Sequence, residues 1–313
     1  MRELRKLSTF IAVIVLSVIA LSASTTAGQS YKPAVEYQSL MNLRFYENNG
    51  GFLVEELQVV FPTQGVQKGT FVISNSSGQV MTTVPLRLKI TENPAFGVLQ
   101  PDGVPGNASV GKAGDYVMAV KLGNETITSI PFSLRQDVSA DPFKPGSRFV
   151  REGPWKDLAY FSSAPDVQNG QAYFNFWMST REIPSLKDAR VTIHLLVNGQ
   201  EIAASRAPVI ATLYDWQFFQ HRELSMPTLP RNRWLTLSDL TSKPGEVTVV
   251  VKANGQPAKS YKTKVVGNQL QRLPENSLTF EPHDKFISPK FIDMSRTSPA
   301  SGSAFDMYWL IRS

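Results

Sequence analysis

Chemistry at neutral pH draws on a small set of side chains, and this chain offers few of them. It has three histidines, His194, His221 and His283, and no cysteine. His194 lies inside the apolar run Val191–Val197 with the parity of its polar face, His221 follows an aromatic segment, and His283 sits in Glu281-Pro282-His283-Asp284. A catalytic triad needs a histidine, a nucleophile and an orienting acid within hydrogen-bond reach. Neither a Gly-x-Ser-x-Gly elbow nor a His-Glu-x-x-His pair occurs. Glu281, His283 and Asp284 have the donor atoms of a metal site, but their setting reads as a solvated loop. Asp215 and Glu223 could be imagined as the paired carboxylates of glycoside hydrolysis, yet nothing in the sequence fixes their separation. Gly65, Gly69 and Gly78 lack the spacing and the Lys-Ser/Thr ending of a phosphate loop. Without cysteine there are no disulfides, thiolate nucleophiles, Cys-based zinc sites or cysteine-linked lipid anchors. We therefore assign no catalytic residue, cofactor or metal, and expect a protein that is not an enzyme.

Two groups of residues remain as candidate contact surfaces. In Tyr173–Thr180, Phe174, Phe176 and Met178 share one face of an extended strand, and Tyr173, Asn175, Trp177 and Ser179 share the other. With Tyr214 and Trp216, the outward pair Tyr173 and Trp177 forms an aromatic set able to stack on sugar rings. Its alternative role is packing, because aromatics usually serve cores and interfaces. The second group is Phe305, Tyr308 and Trp309 in the apolar segment Phe305–Ile311. That segment reads as an edge strand completing its own domain, or as a strand donated to a partner; the first is favoured because exposed apolar strands invite aggregation.

The elements that would position these groups are strands. Glu246–Lys252 places Val247, Val249 and Val251 on one face, is started by Pro244-Gly245, turns at Asn254-Gly255 and returns over Lys259–Val266. The same design occurs earlier, in Gly114–Lys121, Gly123-Asn124 and Ile130–Leu134: Gly114 matches Gly245, Tyr116 matches Val247, Met118 matches Val249, Val120 matches Val251, and Lys121 matches Lys252. Further strands are expected at Thr70–Ser74, Val80–Ile90, Ala189–Val197 and Glu201–Ala207, and in the strand-like runs Leu40–Glu47 and Phe52–Phe61. Thr91–Ser109, rich in Pro, Gly and Asn, reads as loop. No stretch sustains a period of 3.6. The expected fold is all-β: two tandem antiparallel β-sandwiches, 31–137 and 147–267, joined by a linker at 138–146 and followed by a C-terminal extension, 268–313, packed on them.

The repeated Gly-Asp/Glu-φ-x-φ-x-φ-Lys hairpin, with φ apolar, resembles bacterial extracytoplasmic domains of the immunoglobulin-like or fibronectin-like type. The resemblance covers about two-thirds of the chain, and the Cys-Trp-Cys core of immunoglobulins is absent. It implies a spacer or interaction module of a cell envelope.

Composition and address agree with that expectation. The 313 residues fit two domains of ordinary size, and 42% hydrophobic with 19% charged residues suits packed cores. A net charge of +6 is scattered, with no dense basic run beyond the first seven residues, so nucleic acid is not an expected partner. Arg2, Arg5 and Lys6, the apolar run Thr9–Leu21 and a small, polar exit make a secretory signal peptide over residues 1–27, cut after Ala27 or Ala23. No later run is long enough to span a bilayer. The expected location is periplasmic or secreted, in a bacterium rather than an animal. The expected partner is an envelope or extracellular protein, with polysaccharide as the alternative.

Overall fold

The computed structural model describes residues 33–35, 37–60, 65–91, 96–138, 146–163, 171–182, 188–222, 224–226, 234–271 and 306–313. The chain divides into Met1–Lys32, which lies outside the described residues, and one unit, Pro33–Ser313. That unit is, among the described residues, predominantly antiparallel strand. Among the described residues, no helix is long and apolar enough to cross a membrane.

The strands of the first half are β1 (Ala34–Val35), β2 (Arg44–Tyr46), β3 (Gly51–Val54), β4 (Leu57–Val60), β5 (Lys68–Asn75), β6 (Val80–Ile90), β7 (Phe96–Pro101), β8 (Gly106–Ser109), β9 (Gly114–Leu122), β10 (Glu125–Val138) and β11 (Ser147–Glu152). Eight of them form one sheet in the order β1-β4-β7-β6-β5-β9-β10-β11, and β2-β3-β8 form a small second sheet. Phe52, Val54 and Ala108 of the small sheet join Phe71, Ile73, Met118, Val120, Ile130 and Phe132 of the large one in a single core. A short helix, α1 (Tyr37–Met41), replaces the first part of the strand expected at Leu40–Glu47. Its buried residues, Tyr37, Leu40 and Met41, stand at i, i+3 and i+4, the spacing of one helical face. The expected loop at Thr91–Ser109 instead holds β7 and β8, because Val98 and Leu99 find a ladder on β6 and β4.

The second half contains β12 (Leu158–Ser163), β13 (Ala172–Met178), β14 (Ala189–Val197), β15 (Gln200–Ser205), β16 (Val209–Ala211), β17 (Gln217–His221), β18 (Leu224–Ser225), β19 (Gly245–Ala253), β20 (Gln256–Val266), β21 (Gln269–Leu270) and β22 (Asp306–Arg312). All eleven belong to one sheet, ordered β17-β13-β12-β22-β20-β19-β14-β15-β18, with β16 on β14 and β21 on β20. Two separate facing sheets, as expected of a sandwich, are therefore not what encloses the second core. One curled sheet brings Phe161, Phe174 and Phe176 against Ile193, Leu195, Val249 and Val251. Two short helices accompany it. α2 (Pro154–Asp157) leads into β12, and α3 (Leu237–Thr241) is held by a capping box in which Thr236 Oγ1 accepts from Asp239 N and Thr236 N donates to the Asp239 carboxylate.

The two hairpins expected from the repeat are both present. β9 pairs with β10 and β19 with β20. Each has its bulge at the same step: Lys121 faces Thr126 and Val120 faces Thr128, just as Lys252 faces Pro257 and Val251 faces Lys259. The pattern Tyr116, Met118, Val120 and its counterpart Val247, Val249, Val251 are buried, as parity requires. Asn198-Gly199 and Asn254-Gly255 have positive φ at both residues, the type I′ geometry that suits the twist of a two-residue hairpin.

Two junctions differ from expectation. β11, placed by the sequence reading in the second domain, pairs with β10 over six residues and so extends the first sheet. β22 is an interior strand, not an edge: it pairs with β12 over six residues and with β20 at Tyr261–Arg312 and Lys262–Ile311.

Candidate functional site: the seam between the two halves

Strand β13 has an apolar side chain at nearly every position, and both of its faces are covered. Phe174, Phe176 and Met178 enter the core of the second half. On the opposite face, Trp177 is fully buried and belongs to the core of the first half, together with Trp155, Leu158, Tyr160 and Trp216. The parity read from the sequence is correct, but the face it assigned to solvent packs on α1 and its neighbours.

Four polar bonds fix this seam. Trp177 Nε1 donates to Asn42 Oδ1 at 2.8 Å, and Trp155 Nε1 to the Met41 carbonyl at 2.8 Å. Tyr160 donates to Gln38 Oε1 at 2.5 Å. Trp216 Nε1 donates to the Arg151 carbonyl at 2.8 Å. Each indole thus buries its rings and still satisfies its one donor, which removes the penalty of an unpaired buried N–H. By the usual scale of aromatic truncation, each of these tryptophans stabilises the fold by about 3–5 kcal/mol relative to alanine.

Two buried cations complete the site: Arg151 crosses the joint, and Lys259 braces its second-half side. Arg151 Nε meets Asp215 Oδ2 at 2.7 Å, and its Nη1 donates to the Leu43 carbonyl at 3.2 Å. The guanidinium also stands over the Trp155 ring, 4.6 Å from its centroid. Lys259, the first paired residue of β20 after its bulge, has its side chain 1% exposed. Its ammonium meets Glu182 at 2.6 Å and donates to the Trp177 carbonyl at 3.0 Å and the Lys156 carbonyl at 3.2 Å. Glu182 in turn pairs with Arg312 of β22 at 3.2 Å. Burial pulls the Lys259 ammonium below the ordinary lysine range, and the Glu182 carboxylate opposes that pull. Burial likewise lowers the Arg151 guanidinium against the opposing Asp215 charge. The Tyr261 hydroxyl, buried beside the Glu182 carboxylate, is raised far above the usual phenol range, first by desolvation.

The remaining candidates fall elsewhere. Tyr173 is half-buried with Arg222 over its ring, and Tyr214 is half-buried, bonded to Asp137 and covered by Arg148. With Trp177 and Trp216 buried, the four aromatics do not make an open face for a sugar. Backbone pairing places Tyr308 and Trp309 opposite Phe161 and Tyr160; their side chains and Phe305 lie outside the described residues. His194 Nδ1 lies 2.9 Å from Glu201 across the β14–β15 ladder. His221 is buried and stacked on Phe176, and desolvation lowers its pKa to about 4. His283, with Glu281 and Asp284, and also Glu223, lies outside the described residues. Asp215 pairs with Arg151. Among the described residues, no group of three His, Asp or Glu side chains is arranged to hold a metal.

A groove of roughly 660 Å³ runs along Gly65–Gln67, Arg87–Ile90 and Gln100–Asp102 on the first sheet. Its charged pair, Arg87 and Asp102, is 3.9 Å apart and well exposed on both sides. Exposed charges of this kind are screened by water and do not preorganise a ligand site.

The sequence reading missed Arg151, Glu182 and Lys259. No spacing marks them, since each acts on a partner distant in the chain. No family model, no curated protein and no solved structure matches this chain.

Proposed function

We propose that this chain is a non-enzymatic structural or binding protein of the bacterial cell envelope, exported by residues 1–27 and acting through protein contacts. The observation that carries the reading is the use made of Arg151 and Lys259. Arg151 of the first half spends its hydrogen bonds on the Asp215 carboxylate of the second half and on the Leu43 carbonyl, and Lys259 spends its own on two carbonyls and a carboxylate of the second half, one of them the Trp177 carbonyl behind the seam. Such a joint serves a stiff spacer or a platform for partners better than it serves chemistry. The two equivalent hairpins, with bulges in the same register, support the finer idea of a tandem pair of immunoglobulin-like modules in which the second closes on a distant strand. The export signal in the sequence supports the location.

The test is affinity capture of the tagged full-length chain from the envelope fraction of its native cells after brief crosslinking. The reading expects the chain in that fraction and a reproducible protein partner. A chain that stays in the cytoplasm, or one recovered alone under crosslinking, contradicts it.

A further inference from the structure

The slot that β22 fills is an interior one. Emptied, it would leave one side of the β12 backbone, and of β20 at Tyr261 and Lys262, without ladder partners, an open edge that favours occupation by a strand. Its requirements are specific. Leu310 is fully buried in the second core, Arg312 pairs with Glu182 of the Lys259 cluster, and Ser313 N donates to the Ser260 carbonyl at 3.0 Å. A strand that meets all three belongs to this chain or to another copy of it.

The covalent path to the slot does not force the choice. Residues 271–305, thirty-five in all, separate β21 from β22. A chain of that length can span up to ~115 Å. The corresponding strand of the first sheet, β11, follows β10 after only residues 139–146 and is bound to pair locally. From this contrast we infer that β22 is an exchangeable strand: two copies of the chain can insert their β22 strands into each other's slot and form a reciprocal dimer. Filling of the slot by the chain's own strand is independent of protein concentration whereas exchange is not, so the self-filled monomer dominates in dilute solution. The exchanged dimer forms when chains fold at high local density, and the same contacts then hold it. The inference deepens the protein-contact reading by naming a second copy as one partner.

The absence of cysteine gives a clean test. Ser260 and Ser313 lie near the surface with their hydroxyls in contact, so cysteines there disturb no core. A chain carrying both Ser260→Cys and Ser313→Cys should close its own disulfide when refolded dilute. A Ser260→Cys chain refolded with a Ser313→Cys chain should give a heterodimer linked 260 to 313, identified by peptide mass, with a yield that rises in proportion to protein concentration. Light scattering of the unsubstituted protein refolded at the same concentrations should show the matching rise in doubled mass. The inference is overturned if the double variant closes efficiently while the mixture gives no 260–313 link. It is equally overturned if the double variant fails to close, or if 260–260 and 313–313 links are as abundant as 260–313. Capture of a different envelope protein in the earlier experiment is unaffected by any of these outcomes, so the two readings fail separately.

Discussion

Thr128 and Lys259 occupy the same place in two versions of one hairpin, the first paired position after the bulge on the returning strand. Both are buried and both are polar. Thr128 accepts from Val35 N at 3.0 Å and so fastens β1, a neighbour within its own half. Lys259 reaches the carbonyls of Lys156 and Trp177 and the Glu182 carboxylate, and through Glu182 it reaches β22. Equal local geometry has been put to unequal use. A hydroxyl suffices where the next strand arrives locally. A charge appears where strands far apart in the chain meet within the second half. A long side chain bearing three donors can bond several distant groups at once, which a hydroxyl cannot.

The largest expected effect comes from the seam that Lys259 supports. Trp177→Ala should destabilise the protein by about 4 kcal/mol, through lost burial in the seam, whereas Tyr173→Ala, four residues earlier on the same face and half-buried, should cost under ~1 kcal/mol. Urea midpoints of the two variants check the ratio. Equal, small losses would mean that Trp177 is not in a joint. Next, Lys259→Met should cost about 3 kcal/mol, because two carbonyls and part of the Glu182 charge lose their partner in a dry site. Thr128→Val should cost about 1–2 kcal/mol, the usual penalty of one buried N–H left unpaired. Parity between these two substitutions would erase the distinction drawn between the hairpins.

A pH dependence should come from the second half. His221 titrates near 4 in the folded protein and near the ordinary 6.5 once unfolded, so the unfolded chain binds its proton first as pH falls. Stability is therefore unaffected by His221 above about pH 6.5 and declines between about 6.5 and 4, by roughly 3 kcal/mol in total. His221→Phe should flatten that segment of the stability–pH curve. An unchanged slope would show that the ring is solvated.

The smallest contrast is between the starting glycines. Gly245 has φ +143°, and a Cβ there would stand 1.9 Å from Asn198 Oδ1, which accepts from Glu246 N. Gly114 has φ +158°, and its Cβ would meet the Tyr116 side chain, whose hydroxyl is nearest at 3.1 Å. Gly245→Ala should lower stability by about 2 kcal/mol and Gly114→Ala by about 1 kcal/mol, read from thermal midpoints.

The hairpins show how far local pattern carries. Val80–Ile90 and Ala189–Val197 have the bounds that their alternation indicates, and the Asn-Gly turns fall where the dipeptides stand. Alternation reports which residues share a face, and for β13 it did so correctly. It does not report what lies over that face. Composition held a partial clue: Phe174, Phe176 and Met178 on one side and Tyr173 and Trp177 around Asn175 on the other leave little polar surface for water, as expected of a strand covered on both sides. β22 illustrates the other limit. Its apolar character marks a strand, but an interior position is set by pairing with residues about 150 positions earlier, and no local rule encodes that register. The ion pairs of Arg151 and Lys259 are hidden for the same reason.

The central claim is that buried aromatics and paired charges fuse the two halves into one unit. Calorimetric unfolding of the protein at pH 7 tests it most directly. The account predicts one transition, with calorimetric and van't Hoff enthalpies that agree. Two resolved transitions, each with the enthalpy of about half the chain, would mean that the halves fold apart and that Trp177 joins nothing.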